Sequence, residues 1–146
     1  EISRFHMQLD PVIVPPGPGL CVAAVPEAIS DTPIGATPPD CISGAGCLFC
    51  IHQRDIDSQD HVWSLASFRY LKSLEVARHR ALFEGDAYSP PQPAVLAVNQ
   101  LTTKLEFFHT SSAIRAQWVR EAEARVEEGN YHPAWCGFIQ LAELKT

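Results

Sequence analysis

Hydrophobic and polar positions follow two different rules along this chain, and the change falls at Asp55. Beyond it, apolar residues recur at spacings of three and four, as they do in helices that bury one stripe. Asp57 or Ser58 can cap a first helix whose opening turn carries Asp60, a carboxylate suited to the positive end of the helix dipole. Trp63, Ala66, Tyr70, Leu74, Ala77 and Ala81 form its stripe, and Leu65, Phe68 and Leu71 widen it until most of the girth is buried. Gly85 is the expected end, and the Ser-Pro-Pro-Gln-Pro run at 89–93 reads as a connector. A second helix is expected over Pro93–His109, with Val95, Val98, Leu101, Leu105 and Phe108 on one side. Ser111 or Ser112 caps a third over Ala113–Glu128, with Ile114, Trp118, Ala122 and Val126 inward and Gly129 as its C-cap. Pro133–Leu144 is a candidate fourth, short helix, weakened by Gly137.

Residues 1–54 show no such period. They hold eight of the twelve prolines, and the run Pro15-Pro16-Gly17-Pro18-Gly19 lacks the amide donors a helix needs. Met7–Val14 is the one short strand expected there, with Leu9, Val12 and Val14 available for burial. An irregular arm of this length is not a passive loop, so something must pin it. The expectation is therefore a single, mainly α domain over residues 1–146. Three to four helices form an irregular bundle over 55–146, and 1–54 is a proline-rich arm that a metal staples to it.

Composition narrows the function classes. At 46% hydrophobic and 19% charged, the 146 residues can bury a core and are not a disordered tail. A net charge of −6 weighs against broad, nonspecific coating of DNA, which needs clustered cations. Arg54, Arg69, Lys72, Arg78 and Arg80 lie in or near the first helix, but Asp55, Asp57, Asp60 and Glu75 offset them, so a mixed solvated face is expected. The third helix carries the same kind of salt-bridged surface pattern. No run of 18 apolar residues is present, which excludes a transmembrane helix, and no basic stretch followed by an apolar block marks a signal peptide. The chain begins at Glu1 and its first methionine is Met7, so a piece of a longer protein is expected.

The five cysteines change the picture most. Three fall at Cys41, Cys47 and Cys50, a clustering that favours metal binding over a disulfide framework and points to a reducing, cytoplasmic setting. Cys47 and Cys50 form a C-x2-C pair, and Gly44 and Gly46 let the preceding loop turn tightly. A structural zinc ion wants four ligands in a closed tetrahedron. Cys21, reached through Gly19, and His52, beside Cys50, are both open as the fourth. A cysteine-ligated iron–sulfur cluster is the weaker alternative, and small buried thiols are the bland one. A thioredoxin-like pair is weaker still, because no βαβ pattern surrounds it.

Other chemistry is thin. His132 and Cys136 stand four apart, the spacing of a nucleophile–base pair, yet no third group accompanies them and burial of Cys136 beside Trp135 is the simpler reading. His61 and His79 are expected as surface or satisfied interior histidines, and His109 as a favourable partial charge near a helix C-terminus. Capping, with a salt bridge from Arg54, accounts for Asp55, Asp57 and Asp60 without a bound cation. No catalytic residue is assigned.

The block Pro39-Asp40-Cys41, Gly46-Cys47-Leu48-Phe49-Cys50 and His52-Gln53-Arg54-Asp55-Ile56-Asp57-Ser58, followed by Val62-Trp63-Ser64-Leu65 and Phe68-Arg69-Tyr70-Leu71-Lys72, resembles the cysteine-rich region of large integrase-like proteins. Those proteins are encoded on bacterial integrative mobile elements and are related to tyrosine recombinases. Gly19-Leu20-Cys21 matches an upstream glycine and cysteine of that region, and the likeness spans about positions 19–75. The resemblance implies that Cys21, Cys41, Cys47 and Cys50 are the shared cysteines. It also implies an accessory, non-catalytic region beside a recombinase core, supporting DNA binding or assembly through the remainder of a longer protein. The arginines, histidine and nucleophilic tyrosine of such a core are not recognisable here. Arg78-His79-Arg80 is contiguous on one helix and points three ways, and Tyr70, Tyr88 and Tyr131 read as ordinary. A stand-alone protein-interaction domain is the competing class, and a metal- or thiol-dependent enzyme the third.

Overall fold

The computed structural model describes residues 4–83 and 92–144, without the side chains of 79–83. The order is β1 (Leu20–Cys21), α1 (Gly44–Cys47), β2 (Gln53–Arg54), α2 (Gln59–Phe83), α3 (Pro93–Ser111), α4 (Ala113–Glu127) and α5 (Pro133–Leu144). The protein is mainly helical. The expected helices correspond to α2–α5, and α1 is an additional single turn inside the arm. Gly85 and most of the connector lie outside the described residues. No described helix is long and apolar enough to cross a membrane.

The central helix is α2, which packs against α3, α4 and α5. Neighbours on several sides explain why its apolar residues spread around the helix instead of forming one stripe. Its buried apolar positions are Val62, Leu65, Ala66, Phe68 and Leu71. Trp63, Tyr70 and Leu74, expected as the centre of the stripe, are only partly buried, and Ala77 is exposed. Ser58 is the cap: its Oγ accepts the His61 amide at 3.1 Å, which leaves Asp57 free to pair with Arg115. On α3 the buried row is Ala97, Leu101, Leu105 and Phe108, with Val95 and Val98 half-covered at its edge. Ser112 caps α4 by accepting the Arg115 amide at 3.2 Å. At the other end Gly129, at φ +81°, lets the Asn130 amide reach back to the Arg125 carbonyl at 2.8 Å and its own amide to Val126 at 3.0 Å. That pair of bonds is the Schellman closure. Ile114, expected inside, is exposed, and Val119 takes the buried position.

On α5, Trp135 and Ile139 reach the core. Gly137 faces open space, where an added Cβ would meet nothing within 4 Å. Gly137→Ala should therefore stabilise the fold by about 0.5–1 kcal/mol through lower unfolded-state entropy, read as a higher urea midpoint.

The arm does not contain the expected strand at Met7–Val14. Asp10 captures the Met7 amide at 2.8 Å, and its own amide bonds Met7 O at 3.0 Å, so the chain turns there. Pro11 then removes a ladder donor. Leu9, Val12 and Val14 are 98%, 66% and 84% exposed, so none is buried. Only Ile13 pairs, through reciprocal bonds of 3.1 and 2.9 Å with Cys21.

Backbone lacing holds the arm to residues 49–55. Cys21 pairs with Gln53 and Leu20 with Arg54 in the antiparallel β1–β2 ladder. Val22 donates to His52 O, Ile29 to Phe49 O and Ile51 to Glu27 O, at 2.9–3.1 Å. Asp55 donates to Arg4 O at 2.6 Å and accepts from His6 at 2.8 Å. Ala45, Leu48 and Phe49 enter the same core as the helices, so the arm is anchored by burial as well.

Candidate metal centre

Cys21, Cys41, Cys47 and Cys50 line one cavity of about 200 Å³, floored by the Ile13–Pro16 stretch and Pro39. All four are free thiols. Three different devices bring them there. The β1–β2 register delivers Cys21, whose thiol donates to Ala23 O at 2.9 Å. The turn of α1 delivers Cys47 and Cys50 from one short segment. Asp40 shapes the loop between them: its Oδ1 accepts the amides of Ile42 and Ser43 at 2.9 and 2.8 Å, and those bonds hold its carboxyl below the usual range. Cys41 sits at φ +61°, a left-handed conformation costly for a side-chain-bearing residue. Such strain persists only where its surroundings enforce it, and it collects at functional sites.

Close packing leaves little freedom around Cys47. A Cβ on Gly17 would stand 2.6 Å from Gly44 O and 2.7 Å from Cys47 Cβ, so only glycine fits under this thiol. The Gly17 backbone beside the Cys47 sulfur works in the direction that favours a thiolate. Burial nonetheless pushes the Cys47 thiol up to about 11, with the other three thiols adding to the rise. Cys41 is raised by desolvation and then by Cys21 and Cys50. Among the described residues no three His, Cys, Asp or Glu side chains already form a group that would hold an ion. The four thiols share a cavity, and a metal would have to draw them in.

His52 is not part of the cavity lining. Its carbonyl accepts the Val22 amide at 3.1 Å, a structural role in the arm lacing. Cys136 lies apart on α5. The imagined His132–Cys136 pair does not form: His132 Nε2 contacts Asp60 Oδ2 at 3.0 Å, and Nδ1 accepts the Ala134 amide at 3.1 Å. Tyr70 is no better placed as a nucleophile. Burial, Tyr131 and Glu143 all push its hydroxyl up, and it donates to Glu143 at 3.2 Å.

Beside this cavity lies a buried polar network. Asp55 is completely buried; its Oδ1 lies 2.9 Å from His61 Nε2 and its Oδ2 accepts from Lys104 Nζ at 3.0 Å. Lys104 also donates to Gln53 Oε1 at 3.2 Å, and Gln53 Nε2 donates to Asp55 at 3.1 Å and to Pro18 O at 3.2 Å. Burial pushes the Asp55 carboxyl up, but the His61 hydrogen bond and the Lys104 charge outweigh it and hold it well below the usual range. The expected salt bridge from Arg54 to the carboxylates of Asp55, Asp57 and Asp60 is absent from the described contacts, and Arg54 donates instead to the carbonyls of Ile51 and Gln53. The readable signal was Lys104 itself, a cation inside the apolar row Leu101–Leu105–Phe108. Gly19, at φ +89°, makes room for the network: a Cβ there would lie 2.3 Å from Arg54 O and 2.9 Å from Gln53 Nε2.

Comparison with protein-family models, with curated proteins and with solved structures finds no match.

Proposed function

We propose that this is a non-catalytic, zinc-stabilised module of an integrase-like mobile-element protein, serving DNA binding or assembly of a longer chain. The observation that carries the reading is the convergence of Cys21, Cys41, Cys47 and Cys50 on one cavity, all as free thiols. These are the four cysteines the resemblance singles out. A hydrophobic pocket lined by four thiols from separated segments suits a closed structural site, where zinc ties β1 to the loop before α1. Zinc held this way supplies cross-linking and no reaction. Cys21 serves as the fourth ligand, since His52 does not line the cavity.

DNA contact by this region alone is weak on this reading. Two of the candidate cations of α2 are already engaged: Arg69 pairs with Glu123 at 2.9 Å and Lys72 with Glu75 at 3.1 Å. With a net charge of −6, few phosphate contacts remain to release counterions. Residues 1–146 alone should bind duplex DNA weakly or undetectably at physiological salt in fluorescence anisotropy. A longer protein that contains the module should bind more tightly than the same protein lacking it, through raised local concentration. Tight, sequence-specific binding by residues 1–146 would make this the primary DNA reader and overturn the accessory role. Equal binding with and without the module would remove DNA support and leave assembly.

A further inference from the structure

We infer that the groove between α2 and α5 is a docking site for an amphipathic helix of a partner protein, apolar along one face and acidic at its flank. The inference rests on the groove itself and not on the cysteine site. Contacts run in the same order along both helices. Trp135 meets Ser64 and Phe68, and Glu143 meets Tyr70, so α2 and α5 lie side by side in the same sense and leave a long furrow. It encloses about 540 Å³. Leu71 and Leu74 from α2 and Phe138 and Leu141 from α5 line it, and Ile42 closes the end nearest the arm.

The lining is apolar yet open to water. Phe138 is 60% exposed, Leu141 58% and Ile42 81%. Three large hydrophobics gathered at one furrow differ from scattered surface residues, and such patches mark interaction sites. Two parallel ridges spaced by one helix-to-helix contact accept a third helix between them, which presents residues at i, i+3, i+4 and i+7.

Charge fixes the partner's flank. The lining carries Lys72, Glu75 and Arg78, two cations and one carboxylate, in a chain of net charge −6. Lys72 is satisfied by Glu75 at 3.1 Å. Among the described lining residues, Arg78 is then the cation with no ion pair. A carboxylate on the docked helix would meet it. A basic flank would be repelled.

The test uses the purified protein with its zinc content measured beforehand. The probe is a fluorescent synthetic helix with leucines on one face and glutamates at the flank, against a twin with lysines in place of the glutamates. Saturable anisotropy is expected for the acidic probe and at least ten-fold weaker binding for the basic one. Leu141→Glu and Phe138→Glu, both at exposed positions, should each weaken binding at least ten-fold with unchanged circular dichroism. Arg78→Glu should narrow or reverse the preference between probes. No saturable binding, or binding indifferent to Leu141→Glu, would overturn the inference. So would a concentration-dependent dimer in sedimentation equilibrium that Leu141→Glu dissolves, since the face would then belong to a second copy. Failure in zinc-loaded protein counts against the groove alone, and absence of zinc counts against the proposed module alone.

Discussion

Asp55→Ala should lower the unfolding free energy by about 3–5 kcal/mol, because it removes the buried carboxylate that pairs with the Lys104 ammonium. Domains of this kind have about 5–15 kcal/mol in total, so the variant stands near the edge of folding at room temperature. The same carboxylate also bonds His61 and Gln53, and its backbone holds Arg4 and His6. Loss of the carboxylate therefore loosens the packing of β2 against α2 and α3, while the main-chain bonds of residue 55 to Arg4 and His6 can persist. Replacing both charged partners, Asp55→Leu with Lys104→Met, should recover part of the loss, since neither charge of the pair is left buried. Urea unfolding of the parent, the single variant and the double variant checks this. A single variant within about 0.5 kcal/mol of the parent would show that the network contributes nothing. The pH dependence has a definite sign. Asp55 is held below its unfolded value of about 3.9, so its contribution is complete above that pH and is lost as pH falls through the folded value. The parent should weaken steeply below about pH 4, and Asp55→Asn should have a flatter acid limb.

The second large effect is that of metal removal. If zinc binds the native arm and not the unfolded chain, free zinc at a thousand times its dissociation constant adds about 4 kcal/mol of stability. Chelation should remove that increment and raise amide exchange at Cys21, Val22, Ile29 and Ile51 at least ten-fold. These amides carry the cross-arm bonds at 2.9–3.1 Å. Far-ultraviolet helicity should largely persist, because α2 packs directly on α3, α4 and α5 and the helices share Leu65, Leu101, Leu105, Phe108 and Ile139 as core. Cys47→Ser should reproduce the effect of chelation in the absence of chelator. Loss of the whole helix signal on chelation would contradict the separation of arm from bundle.

The helices were legible because their signals are local. Serine caps, Gly129 and three-four spacing act within a few residues, and α2–α5 follow them closely. Which face of α2 would be buried was less legible, since that depends on three neighbours around it. The arm was hardest. Its apparent alternation at Leu9, Val12 and Val14 is overridden by the Asp10 turn and Pro11, and its real anchors are pairings between residues about 20 to 50 positions apart. The convergence of the cysteines followed from spacing for Cys47 and Cys50, but the approach of Cys21 depends on the β1–β2 register. The Asp55–His61–Lys104 network was not foreseen, because each partner has a cheaper local explanation when read along the chain.

The most direct test is the metal content of residues 1–146, purified without chelator and measured by native mass spectrometry alongside elemental analysis. The account predicts one zinc per chain, retained in His52→Ala and lost in Cys21→Ser, Cys41→Ser, Cys47→Ser and Cys50→Ser. A metal-free chain, or disulfides joining these sulfurs, would contradict it.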